Sequence, residues 1–389
     1  MVTVTRTRFL LAAAVALLAL TGCETTQGRA NWPRTGDPLL DGQTAIAQGP
    51  PRDRVLWQYR TAATALRRGE LAEARRLLDD ALLTIGGVVV NDRGARQARS
   101  MFHAESKKTF HGEPYERVMA YYYRGILYWM DGELDNARAC FRSAQLQDSD
   151  TERKEYAADY VLLDYLDGLA SMKLGGDGSD AFKRAEAEAR LYRPLPGDAQ
   201  ANVLVFAEFG NGPSKLATGE YAEQLRFHPG TSVYRAVMLR VTNIVVRLDP
   251  FDDLNFQATT RGGRVMDHIL GNKAVFKSTT DAVGTVGLIG GLALASRKDT
   301  REAGLGLAAA GLLSKIISAA TTPAADTRCW DNLPAFLSFS AFRLPPGQYG
   351  ATVEFLDGAG SPSTVTKPVT INVSDANRDT VIFISDKNN

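Results

Sequence analysis

Chemistry near neutral pH most often needs histidine, and this chain has four: His103, His111, His228 and His268. None stands at HExxH spacing or one helical turn from another, so no helix face gathers two for a metal. They read as structural or exposed. No GxSxG elbow, Walker A loop or CxxC pair occurs, which removes the commonest hydrolase, nucleotide and redox signatures. Gly176-Asp177-Gly178 with Ala181 imitates a dinucleotide loop, but its acidic neighbours repel pyrophosphate. The acidic group Asp249, Asp252 and Asp253 lacks the alternating spacing of a calcium loop.

Two glycine-rich stretches retain some potential. Phe209-Gly210-Asn211-Gly212-Pro213-Ser214-Lys215 puts a lysine after a turn, where it could meet an anion, although no helix follows and a wide loop is the plainer reading. Arg261-Gly262-Gly263-Arg264 could hold a phosphate or a glycan acid in the same way. The expectation is therefore a non-enzymatic protein with no metal ligands and no cofactor. Formal charges nearly cancel at +1, which removes the basic field that nucleic acids require. With 389 residues, 44% of them hydrophobic, the chain can bury a full core and is large enough for two or three domains.

The N-terminus carries an address. Arg6 and Arg8 precede an apolar run from Phe9 to Leu20, the charged and hydrophobic regions of an export signal and too short for a comfortable membrane span. The run ends in Leu20-Thr21-Gly22-Cys23, which resembles the lipobox of bacterial lipoproteins: an aliphatic residue, two small residues, then the cysteine that accepts diacylglycerol before cleavage. The alternative is an ordinary signal peptide with an incidental cysteine. The resemblance implies that residues 1–22 are removed and that Cys23 carries palmitate-type chains. Each buried methylene contributes ~0.8 kcal/mol, so several chains hold the protein at a bilayer. Glu24 follows, where Asp commonly marks retention in the inner membrane, so the resemblance implies the outer membrane and its periplasmic face. Residues 23–51, rich in Gly, Pro, Thr and Gln, read as a lipidated flexible tether.

Helical spacing of apolar residues fills 52–193 and repeats with similar punctuation. The clearest copy has Gly125, Tyr128, Gly132, Ala137, Phe141 and Ala144. An earlier one has Ala62, Ala65, Gly69, Ala74, Leu78 and Ala81, and a weaker later one Gly168, Gly175, Ala181 and Ala185. These spacings resemble the tetratricopeptide repeat (TPR), with Arg124 in place of the usual Leu and Ser149 in place of the closing Pro. The stretch from Val88 to Pro114 interrupts them and could add a helix. Aligning the copies on their glycines superposes Tyr59, Tyr122 and Tyr165, and likewise Trp129 and Met172. In the resembled family the tyrosine position lines the concave face, so these five residues are the candidate surface for an envelope protein or peptide partner. The alternative is that the insertion or the C-terminal half covers them.

Beyond Pro194-Leu195-Pro196-Gly197, β-branched or alternating runs appear at Val203–Phe209, Ser232–Leu248, Ala335–Phe342, Tyr349–Phe355, Val365–Val373 and Val381–Ile384. Pro345-Pro346-Gly347 and Asp357-Gly358 supply turns, and an antiparallel sheet or sandwich over 194–389 is expected. A Gly/Ala-rich stretch at about 281–320 reads as an inserted helical hairpin, with Asp299 and Glu302 as a capping box. Packing in the chain, oligomerisation and membrane insertion are its possible roles. Asp326-Thr327-Arg328-Cys329-Trp330 reads as a pinned strand entrance or a partner-contacting corner. Cys140 and Cys329 read as buried apolar fillers, with a disulfide between them as the alternative.

The fold class that emerges is α+β, a TPR-like helical array followed by the β-rich half. The arrangement resembles poorly characterised bacterial lipoproteins that join such helices to a β-rich C-terminal domain. It implies a membrane-anchored periplasmic adaptor or scaffold in envelope assembly or maintenance. An enzyme of unfamiliar type, with its site where helices meet sheet, and a membrane-remodelling subunit using the hairpin are the alternatives.

Overall fold

The computed structural model describes residues 32–86, 109–151, 154–220, 222, 224–260 and 325–387. The export signal, Cys23, Arg261–Arg264, the 281–320 hairpin, His103, His268 and most of the 88–114 insertion lie outside them.

Helix α1 spans Pro38–Gln48 inside the segment expected to be a tether, which corrects that expectation from residue 37 onward. Its start is over-determined: Asp37 accepts the Leu39 and Leu40 amides, and Pro38 occupies the first turn with φ already set. The helix is short, so packing rather than propensity stabilises it. Gly42 lies so close to Thr61 that a Cβ there would meet the hydroxyl oxygen at 2.1 Å.

Three helix pairs follow: α2 Arg54–Arg68 with α3 Leu71–Gly86, α4 Pro114–Met130 with α5 Leu134–Asp148, and α6 Val161–Lys173 with α7 Ser179–Glu188. Each pair turns at one of the aligned glycines. Gly69, Gly132 and Gly175 have φ of 77°, 81° and 78°, the left-handed conformation that costs glycine nothing and ends a helix. Within the middle pair, the absent side chain of Gly125 lets the Phe141 ring approach to 2.5 Å of where a Cβ would stand. Residues 109–113, the described end of the insertion, are non-helical. They lead into α4 through a reciprocal capping box of Glu113 and Glu116.

The second half holds β1 Val203–Phe209, β2 Ser214–Thr218, β3 Gln224–His228, β4 Tyr234–Val241, β5 Ile244–Leu248 and β6 Pro250–Asp253, then helix α8 Leu254–Thr259. It continues with β7 Phe336–Phe342, β8 Gly347–Asp357, β9 Pro362–Val373 and β10 Thr380–Ser385. An inner sheet has the order β10-β1-β7-β6, an outer sheet β5-β4-β8-β9, and β2 and β3 form a separate ribbon. The outer sheet is antiparallel, as expected, but the inner one is mixed because β10 runs parallel to β1. The reason is topological: β10 reaches the inner sheet from the outer sheet's β9, without the tight hairpin that enforces antiparallel pairing. The run Ser232–Leu248 splits into two strands at Thr242, which takes a positive φ of 49°.

Strand β1 explains the layering. All seven of its residues are buried. Val203, Val205, Ala207 and Phe209 pack into the core shared with the outer sheet, whereas Leu204 and Phe206 pack into the core shared with the helices. The result is three layers, with helices on one face of the inner sheet and the outer sheet on the other.

Candidate functional site

Four of the five residues expected to bind a partner, Tyr59, Tyr122, Trp129 and Tyr165, line the boundary between helices and inner sheet. Tyr59 stacks on Trp330 with ring centroids 4.5 Å apart. Tyr122 and Trp129 approach Phe206 of β1 at 6.4 and 6.5 Å, and the Trp129 indole donates to Asp379 at 2.7 Å. Tyr165 meets Phe251 at 5.5 Å and Phe339 at 5.7 Å. These four are at most 6% exposed, and Met172 is half-buried. The open partner-binding face is therefore corrected: the chain's own sheet occupies it. Its cause is visible in β1, whose Val-Leu-Val-Phe-Ala-Glu-Phe run is apolar on both faces and needs cover on both. That run was the sequence signal for a closed face.

Polar side chains cross the same boundary in pairs. Arg67 of α2 donates to Glu208 of β1 at 2.6 Å, with both side chains at most 2% exposed, and the Tyr123 hydroxyl donates to the other Glu208 oxygen at 2.5 Å. Lys173 meets Asp379 at 2.8 Å, and Arg60 meets Asp331 at 2.9 Å. Asp252 of β6 accepts the Val161 and Leu162 amides, capping α6 from the sheet side. Burial pushes its carboxyl up to about 7 against the pull of those two amides, and the charges of Asp159 and Asp148 add to the rise.

A buried polar cluster joins α4, β2 and the segment before β7. Glu116 accepts from Lys215 at 2.5 Å, from the Glu113 amide at 2.6 Å and from the Trp330 amide at 2.7 Å. Burial raises its pKa, with the Lys215 ammonium opposing the rise. Lys215 also donates to the Arg328 carbonyl at 2.9 Å and faces Glu113 at 3.8 Å. Its charge and donors are thus taken up inside the protein, so the anion alternative for this stretch does not apply, and Lys215 itself stands in β2 rather than in the wide loop expected there. Arg328 forks between Asp326 at 2.6 Å and Asp53 at 2.7 Å, so the Asp326–Trp330 segment pins the entrance to β7 against the helices. Sequence reasoning missed Glu116 as the partner of Lys215, because ninety-nine residues separate them.

The thiols are free and buried: Cys140 is pushed up to about 12 and Cys329 to about 11, each mainly by burial. The disulfide alternative therefore does not apply, and neither thiol is poised as a nucleophile. His111 lies in the loop before α4 and His228 at the end of β3. Among the described residues no His, Cys, Asp or Glu group is arranged to hold a metal, and no helix is long and apolar enough to cross a membrane.

Compared with protein-family models, curated proteins and solved structures, the chain matches none. Fold and site together define an α+β protein whose paired helices are locked onto a central sheet by buried aromatic rings and ion pairs. The cluster around Glu116 and Lys215 holds three chain segments together and presents no reactive group in an open position.

Proposed function

We propose that this protein is a lipid-anchored scaffold of the bacterial envelope, held at the periplasmic face of the outer membrane by acyl chains on Cys23. Its three helix pairs are TPR-like repeats that bind a protein partner through their outer helices. One observation carries the partner surface: Leu83 and Leu146 are 78% and 67% exposed and occupy the same position of α3 and α5, fourteen residues beyond Gly69 and Gly132. Equivalent bare leucines on successive pairs form a repeated apolar contact, the kind that a partner's apolar face covers at a gain of about 1.5–3 kcal/mol for each side chain fully buried.

A photocrosslinking residue placed at Leu83 or Leu146 in intact cells is expected to trap one discrete protein, and the same residue at the exposed Lys183 is not. Equal adducts at all three positions would overturn the surface. Palmitate labelling that persists in a Cys23→Ala protein would overturn the anchor.

A further inference from the structure

The length of chain between Cys23 and the first described residue limits which side of the molecule can meet the membrane. Trp32 stands nine residues after Cys23, a reach of about 30 Å at full extension. The described fold is about 50 Å across for a compact chain of its size. A lipid on Cys23 therefore cannot leave the Trp32 side facing away from the bilayer.

That side has a suitable composition. The Trp32 ring sits edge-on to Trp57 at 6.0 Å and lies against Gly49, where a Cβ would meet it at 3.4 Å. Neither ring is fully buried. Arg34 follows Trp32 by two residues, and Arg52 and Arg54 follow Gly49 within five; all three are exposed. The acids nearby are already engaged. Asp53 pairs with Arg328 at 2.7 Å, with Arg52 only at 3.9 Å. Asp37 pairs with Arg68 at 2.8 Å while capping α1, and Asp41, which accepts the Thr35 amide and hydroxyl and the Gly36 amide, offsets part of the Arg34 charge, leaving Arg52 and Arg54 the least opposed. A tryptophan beside three arginines matches the interface between acyl chains and phosphates, where an indole ring takes the boundary and guanidinium groups take the anions.

We propose that the surface carrying Trp32, Arg34, Arg52 and Arg54 rests on anionic phospholipid headgroups and fixes the orientation of the anchored protein. The inference depends on the acylation of Cys23 proposed above. In that orientation α1 and the start of α2 form the membrane-proximal side.

The test places the acylated full-length protein in vesicles of phosphatidylethanolamine and phosphatidylglycerol containing a shallow spin-labelled lipid, and follows tryptophan fluorescence. Trp129 and Trp330 are buried in the protein and give a constant background. The expected result is quenching in the wild type, loss of part of it in Trp32→Phe and of most of it in Trp32→Phe, Trp57→Phe, and loss of most of it in the triple variant Arg34→Glu, Arg52→Glu, Arg54→Glu with the acyl mass unchanged. Raising the salt concentration on the wild type gives a second route to the same loss, independent of how the variant folds. Absence of quenching while Cys23 carries its acyl mass overturns this inference and leaves the anchor standing. Quenching unaffected by either charge reversal or salt overturns the role of the arginines. Absence of the acyl mass overturns the anchor, and this orientation with it.

Discussion

Replacing Asp252 by asparagine should change how stability depends on pH. The carboxylate caps α6 with two hydrogen bonds of 2.9 Å, and burial, opposed by those bonds and reinforced by Asp159 and Asp148, moves its pKa from 3.8 to about 7. A group whose folded pKa lies above its unfolded value holds its proton longer in the native state. Its contribution is therefore fully present below the unfolded pKa and is lost as pH rises through the folded one. A rise of about three units at about 1.4 kcal/mol each amounts to about 4 kcal/mol lost between pH 4 and pH 8. Asparagine keeps a carbonyl acceptor for α6 but does not titrate. In urea unfolding across that range, the stability of Asp252→Asn minus that of wild type should climb by about 4 kcal/mol toward the alkaline end. Glu116, Asp164 and Asp386, also raised mainly by burial, cancel in the subtraction. A difference that stays flat with pH would refute the reasoning, because the carboxyl would then not be titrating between those limits.

Three further outcomes follow from the same geometry. Arg67→Met leaves Glu208 buried and uncompensated and should cost about 3–5 kcal/mol in a denaturation curve, with much of the loss recovered in Arg67→Met, Glu208→Leu. Gly125→Val forces atoms into the Phe141 ring and should cost about 1–3 kcal/mol, read as a lowered melting temperature and partly relieved by Phe141→Leu. In a Cys23→Ala protein, a maleimide at neutral pH should modify neither Cys140 nor Cys329 until urea is added; rapid labelling of the native chain would show that the thiols are not enclosed as described.

Much of this architecture is legible locally. The aligned Gly69, Gly132 and Gly175 announce three helix pairs, since a helix that ends in a left-handed residue signals itself within one turn. The runs at Val203–Phe209, Ala335–Phe342 and Val365–Val373 fall on β1, β7 and β9, because alternation and β-branching are properties of neighbouring residues. What escaped depends on contacts between distant segments. Helix α1 carries a local start signal in Asp37-Pro38, but what holds its body is the contact with α2, which no neighbouring residue announces. The parallel pairing of β10 is set by where the chain comes from. The fate of Tyr59, Tyr122, Trp129 and Tyr165 was ambiguous on one helix face alone, since a large ring suits a groove and a core equally well. The doubly apolar β1 decides it, and so do Glu116 for Lys215 and Glu208 for Arg67.

The change of composition at Pro194-Leu195-Pro196-Gly197 suggests a place to cut the chain, yet β1 makes the two sides mutually dependent. A fragment ending there would wet the rings of Tyr122, Trp129 and Tyr165, and the remaining fragment would wet Leu204, Phe206 and Phe339. Neither half carries a finished surface of its own, so heat or urea should take the molecule apart in one step, with helix and sheet signals vanishing together. Damage at either end is thereby felt at the other, as in an arch whose two limbs lean on one central stone.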